Sequence, residues 1–210
     1  MAVSLDLFGT HVTVDRPSGP AAAVGRELAA RGVEPPADWE DAYRERHGQV
    51  STGAELPLSD HVTAALASRG VEAPTDIVSE AVLAAFTGGA VRTRDGAADA
   101  LAGLATRCPV GVCSNCSVRG LVDWAVAESA LSPDLLDAVV TSVDCGWRKP
   151  DRRAFVAVAD ALGVRPSDLV HVGDDPATDG GVTAVGGEYV DVGEVDLVSL
   201  PAVLEGRAWD

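Results

Sequence analysis

Two spacings of apolar positions alternate along this chain. Short apolar runs without helical repeat occur at residues 3–5, 109–113, 138–142, 169–172 and 189–192. Runs of this length, stopped by turn residues, predict buried strands. Between them, apolar residues every three to four positions predict helices over 95–106, 117–129, 150–162, a short one ending at 185, and 197–204. Gly163 is a normal stop for the third of these. Strand and helix in strict alternation imply a parallel sheet with right-handed crossovers, so the predicted class is α/β, doubly wound.

One segment breaks the alternation. Arg16-Pro17-Ser18-Gly19-Pro20 reads as a linker. Four consecutive helical patterns follow, at 21–31, 36–49, 59–69 and 75–86, the second opening on a Pro-Pro-Ala-Asp start signal. The predicted organisation is an all-helical insert, 17–89, within an α/β core made of 1–16 and 90–210. Trp39, Tyr43 and His47 share helical spacing, and with Arg44 they read as core or surface positions rather than ligand contacts.

Composition narrows the function classes. A formal charge of −16, from 32 acids against 16 basic residues, argues against a general nucleic-acid surface. No apolar run reaches the length of a membrane span, and no basic-then-apolar leader opens the chain. A cytoplasmic protein is expected. The acidic, Ala/Val/Gly-rich, lysine-poor composition resembles that of proteins from salt-loving organisms. Lys149 is the single lysine in the chain. An ammonium is a compact point charge that the planar arginine fork does not reproduce, so a chain otherwise without lysine points to a function for this one. Cys113 and Cys116 form a Cys-x-x-Cys pair. Cys108 and Cys145 supply no second close pair, so a structural zinc is not indicated; small buried hydrophobes fit better than a redox motif.

The candidate chemistry lies where predicted strands end. Asp6 closes the first run, and ligands in α/β sheets bind at carboxyl ends of strands. Taken alone it reads equally as an ordinary capping or turn aspartate. Ser114 and Asn115 follow the second run, and Ser114 alone would pass for a cap serine. Lys149-Pro150 precedes a helix. Gly173-Asp174-Asp175, with Asp179 beyond, follows the run 169–172.

An aspartate, a hydroxyl residue, a lysine and an acid cluster in this order resemble the haloacid dehalogenase-like (HAD) hydrolase superfamily, from Asp6 to Asp179. The resemblance implies a Rossmann-like core with a helical cap of the first cap class. It implies catalytic Asp6, Ser114 and Lys149, with Asp6 as the nucleophile. It places Thr10, Ser114, Asn115 and Lys149 at the substrate. Mg²⁺ would be held by Asp6, Asp174 and the Phe8 carbonyl, with Asp175 and Asp179 in support. The implied partner is a small phosphorylated or halogenated metabolite.

Two motifs pull apart. Phosphatases of the superfamily carry a second aspartate two residues after the nucleophile; here that position is Phe8, which transfers no proton. An aromatic there resembles the 2-haloacid dehalogenases, which work without metal. Gly173-Asp174-Asp175 resembles the metal-binding phosphatase type. The acid cluster weighs more, because a dry pocket would not tolerate these carboxylates unneutralised. The leading expectation is therefore Mg²⁺-dependent phosphate-monoester hydrolysis, ahead of 2-haloacid dehalogenation and of a weakly active, ligand-binding protein. His11, with a pKa suited to neutral proton transfer, is a candidate for the missing acid.

Overall fold

The computed structural model describes residues 1–205. Five parallel strands form one sheet: β1 Ala2–Leu5, β4 Val110–Ser114, β5 Ala138–Thr141, β6 Leu169–Gly173 and β7 Glu188–Asp191, in the spatial order β5-β4-β1-β6-β7. The central three are buried at every residue, whereas both edge strands keep exposed positions. Strands covered on both faces read as unbroken apolar runs, which is why β1, β4 and β6 stand out in the sequence. Alternate side chains enter opposite layers: Val3, Leu5 and Val112 join one hydrophobic cluster, Ala2 and Cys113 the other.

Helices cover both faces. Leu101 and Leu104 of α5 (Ala97–Ala105), Val122 and Val126 of α6 (Leu121–Glu128) and Leu200 and Leu204 of α9 (Leu200–Glu205) pack in the first cluster. Phe155, Val158 and Ala159 of α8 (Arg152–Ala161) form the second. The chain passes from β1 to β4 on one side and later to β6 on the other. The order therefore reverses beside β1, and a crevice opens outside its carboxyl end.

Two further strands were not read from the sequence. β2 (Val12–Val14) and β3 (Val91–Thr93) pair antiparallel, with Thr13 opposite Arg92. They are three residues each and half exposed, too short for a periodic signal. Their pairing brings the chain back beside its departure point, and α1 (Pro20–Ala30), α2 (Trp39–Arg44), α3 (Leu58–Ala67) and α4 (Thr75–Phe86) lie between them. These helices pack on one another and share the first cluster with the sheet.

Three helices are shorter than their patterns suggest. The one expected over 36–49 spans only Trp39–Arg44, and the His47 ring donates back to the Ala42 carbonyl at 2.7 Å, satisfying an orphan group at its end. The one expected from 117 begins at Leu121, after Gly120 at φ +81°, because residues 115–118 are spent on a loop. The last begins as a 3₁₀ turn at Leu197–Ser199 and becomes α-helical only at Leu200. The short helix ending at 185 is a 3₁₀ segment, Asp179–Val185.

Candidate active site

Asp6, Ser114 and Asp174 lie at the carboxyl edge of the sheet because their strands end there. Asp6 follows β1, with its N–H still bonded to the Val172 carbonyl of β6 at 2.8 Å. Ser114 ends β4, and Asp174 follows β6. Lys149 comes from the loop between α7 (Ser142–Cys145) and α8.

Lys149 is the hub. Its Nζ donates to Asp6 Oδ1 and Asp179 Oδ1, each at 2.7 Å, and its side chain is 2 % exposed. Burial works to lower its pKa, but the Asp6 and Asp179 carboxylates outweigh that and hold the ammonium charged. Asp179 also accepts from His171 Nε2 at 3.1 Å and, through Oδ2, from the Asp175 N–H at 3.1 Å. Against a cost of burial, these donors hold Asp179 below the usual carboxylate range. Asp6 moves the other way. Burial raises it first, and Lys149 only partly offsets that. His171 continues the chain inward, its Nδ1 2.8 Å from Ser4 Oγ. Because Nε2 faces a carboxylate it carries the proton, so Ser4 donates to Nδ1. Neither Ser4 nor His171 was a sequence candidate. The only signal was a polar residue at the centre of each of two buried strands.

A second set gathers around Thr10. Its hydroxyl lies 3.1 Å from Asp6 Oδ2 and 2.6 Å from Asp174 Oδ1, bridging two carboxylates. Carboxylate oxygens of Asp6, Asp174 and Asp179 all fall within 4.8 Å of one another. Glycine permits this approach. A Cβ at Gly9, whose φ is +92°, would meet Asp174 Oδ2 at 3.2 Å, and one at Gly173 would overlap Asp179 Oδ2 at 2.1 Å. Three carboxylates thus face one ammonium, leaving two negative charges uncompensated at the strand ends.

The other candidates divide. Ser114 Oγ is buried without a partner, an orphan hydroxyl at the end of β4. The Asn115 side chain is spent on Lys149, receiving its backbone N–H at 2.8 Å and donating to its carbonyl at 3.0 Å. It positions the lysine, and only its backbone N–H is left for a substrate. Asp175 turns into its own loop, accepting from Ala177 N–H and Thr178 Oγ1, both at 3.0 Å. Trp39 donates to the Ala21 carbonyl and stacks edge-on with Tyr43, and Arg44 pairs with Glu40. Cys113 and Cys116 are buried and free, and burial pushes the Cys113 thiol up to about 12.

The His11 ring, the candidate for the missing acid, is turned to the backbone. Nδ1 donates to the Asp6 carbonyl at 2.7 Å, while Nε2 is buried without a partner. Burial takes its pKa down to about 4, and His171 likewise. Both are neutral at pH 7. Unfolded imidazoles bind protons below about 6.5, but these folded ones wait until about 4. Their contribution to stability is therefore full above about 6.5 and is lost as pH falls toward 4, with a slope approaching about 1.4 kcal/mol per pH unit for each. Urea denaturation between pH 7 and 5, where free carboxylates stay ionised, should show the loss, and His11→Gln should reduce the slope. A flat profile over that range would contradict neutral buried rings.

The geometry can be set beside known proteins. A family model described as haloacid dehalogenase-like hydrolase matches residues 1–181. No curated protein matches the sequence. Among solved structures, the L-2-haloacid dehalogenase of Xanthobacter autotrophicus is similar at 17 % identity and TM-score 0.59, over 99 % of each chain. A 2-haloacid dehalogenase of Pseudomonas syringae pv. Tomato DC3000 is similar at 21 % identity and TM-score 0.65, also over 99 % of each. A HAD family enzyme of Bacteroides thetaiotaomicron, in complex with magnesium and inorganic phosphate, is similar at 14 % identity and TM-score 0.56, over 90 % of this chain and 92 % of that one. At these identities the likeness speaks for the fold. Among the described residues, no helix is long and apolar enough to cross a membrane.

Proposed function

The chain belongs to the haloacid dehalogenase-like hydrolases, and from that premise we propose that it hydrolyses a small phosphate monoester through a covalent intermediate on Asp6, assisted by Mg²⁺. The observation that carries this reading is the charge count: Asp6, Asp174 and Asp179 against Lys149 alone. An anionic substrate is repelled by two surplus negative charges unless a divalent cation is also held. The donors fit one. Mg²⁺ prefers oxygen ligands, usually one or two carboxylates plus water and substrate oxygens. Both oxygens of Asp179 are engaged by Lys149, His171 and the Asp175 amide. Direct ligation is thus left to Asp6 and Asp174, and the approach of Asp174 to Gly9 brings the Phe8–Gly9 backbone beside them. When bound, the ion neutralises charge on the phosphoryl group, which is most of what phosphoryl transfer requires.

The protein's own groups do the rest. The Asp6 carboxylate attacks phosphorus and the P–O bond to the alcohol breaks, the alcohol oxygen leaving with the electron pair. Lys149, the orphan Ser114 hydroxyl and the Asn115 N–H hold phosphoryl oxygens. Water then cleaves the aspartyl-phosphate, releasing phosphate and restoring Asp6. Because Phe8 supplies no proton, substrates whose leaving group departs as a stable anion are favoured. The helical insert 17–89 acts as the cap over this site.

A second reading, 2-haloacid dehalogenation, is favoured by Phe8 itself, since a halide needs no proton, and it accords with the dehalogenases among the fold's relatives. Likeness at 17–21 % identity weighs less than the charges of this chain. The deciding experiment compares aryl phosphates and 2-haloacids with and without Mg²⁺. Phosphate release that needs the ion and vanishes in chelator is expected. Halide release indifferent to chelator would replace the first reading by the second, and turnover of neither would leave a ligand-binding protein.

A further inference from the structure

Beyond the reacting groups, a cavity of about 240 Å³ opens beside Phe8 and Asn115. It lies below the roughly 300–1,000 Å³ of pockets for drug-sized ligands, so it accommodates a small molecule. Its walls are of two kinds. Phe8, Leu58 at the start of α3 and Phe86 at the end of α4 are apolar, the last two supplied by the helical insert. Arg16 and Arg148 are guanidinium groups from opposite sides, one from the linker leaving β2, the other from the residue before Lys149.

The two arginines differ in their company. Arg148 Nη1 donates at 2.8 Å to Glu55, whose side chain is 4 % exposed and also takes the Ser142 hydroxyl. That pair is internally neutral. Arg16 has no carboxylate partner among the described residues, in a chain with twice as many acids as bases. Arg26, Arg46, Arg94 and Arg152 also lack one among the described residues, but of these five only Arg16 lines the cavity. Arg16 lines the cavity together with Cys116 and is otherwise exposed. An unpaired guanidinium in the wall of a cavity that is apolar on one side leaves five donors in a planar fork that matches a carboxylate.

We infer that Arg16 is a specificity residue, and that the substrate carries a carboxylate on the far side of an apolar spacer from its reacting group. This rests on the proposed hydrolysis at Asp6 for the placing of the reacting end. The spacer lies against Phe8 and Phe86. The carboxylate meets the Arg16 fork, with Arg148 adding what Glu55 leaves free.

The test uses 4-carboxyphenyl phosphate and its neutral 4-carbamoyl counterpart, with Mg²⁺ present. The wild-type protein should favour the carboxylate in kcat/KM, chiefly through KM, and Arg16→Ala should lower the carboxylate-to-carboxamide ratio by 10-fold or more. Arg16→Lys should restore part of it, which a merely structural role would not predict. Arg16 is exposed, so its variants should fold. Calorimetric binding of 4-carboxybenzylphosphonate, which cannot be turned over at its P–C bond, reads the pocket separately. Arg16-dependent binding without turnover of either ester would keep the pocket and remove the hydrolase reading. Turnover with a ratio near one in the wild type and in Arg16→Ala would overturn the pocket and leave the hydrolase standing. Absence of both binding and turnover would overturn the pocket as well.

Discussion

Asp6→Asn is expected to lower turnover by at least about 10⁴-fold, since an enzyme's overall acceleration starts at about 10⁶ and here depends on a covalent step. The variant should also be at least as stable as the wild type. An amide has nearly the shape of the carboxylate, and its oxygen can still accept from Lys149. It loses the nucleophile and it loses a buried charge. Burial and the Asp179 carboxylate both disfavour the Asp6 anion in the folded state, so a neutral side chain relieves strain between like charges. Folding equilibria and phosphate release on one preparation would show the pairing of loss and gain. A variant keeping more than a hundredth of wild-type turnover would remove Asp6 from the nucleophile's place.

The expectation of a dead yet stable variant follows from how this site conflicts with the fold around it. The conflict also decided what could be read from the chain. β1, β4 and β6 are apolar on both faces and stood out as unbroken runs. Asp6, Ser114 and Asp174 were legible because each breaks such a run at its end. Lys149 was legible because no other lysine competes with it. What stayed hidden depends on long-range approach. His171 sits in the middle of a buried strand, and only its distances to Asp179 and Ser4 distinguish it from core. Glu55 and Arg148 are 93 residues apart, and only the folded chain brings them together. The β2–β3 pair was missed because three residues carry no period, although it brings the chain back beside its departure point. The lowered pKa of His11 was not legible either, because composition gives only the value in water and burial shifts it.

Lys149→Met should be equally inactive but, unlike Asp6→Asn, markedly less stable. The ammonium is the shared partner of two carboxylates, both at 2.7 Å. Removing it leaves Asp6 and Asp179 buried, like-charged and unpaired, and breaking a buried pair in this way costs about 3–5 kcal/mol. For a chain of this size each kcal/mol moves Tm by about 2–4 °C, so a fall on the order of 10 °C is expected. One of the two carboxyls should take up a proton near neutral pH, making the variant relatively more stable in mild acid than the wild type is. The second substitution Asp179→Asn discriminates between causes. If the loss comes from unpaired charge, the double variant Lys149→Met/Asp179→Asn should regain much of the stability, a coupling that a double-mutant cycle reads directly. Its turnover should stay absent, because no ammonium remains to meet the incoming anion. Recovery of activity together with stability would mean that Lys149 serves only to hold the fold, and the charge argument for the site would fail with it.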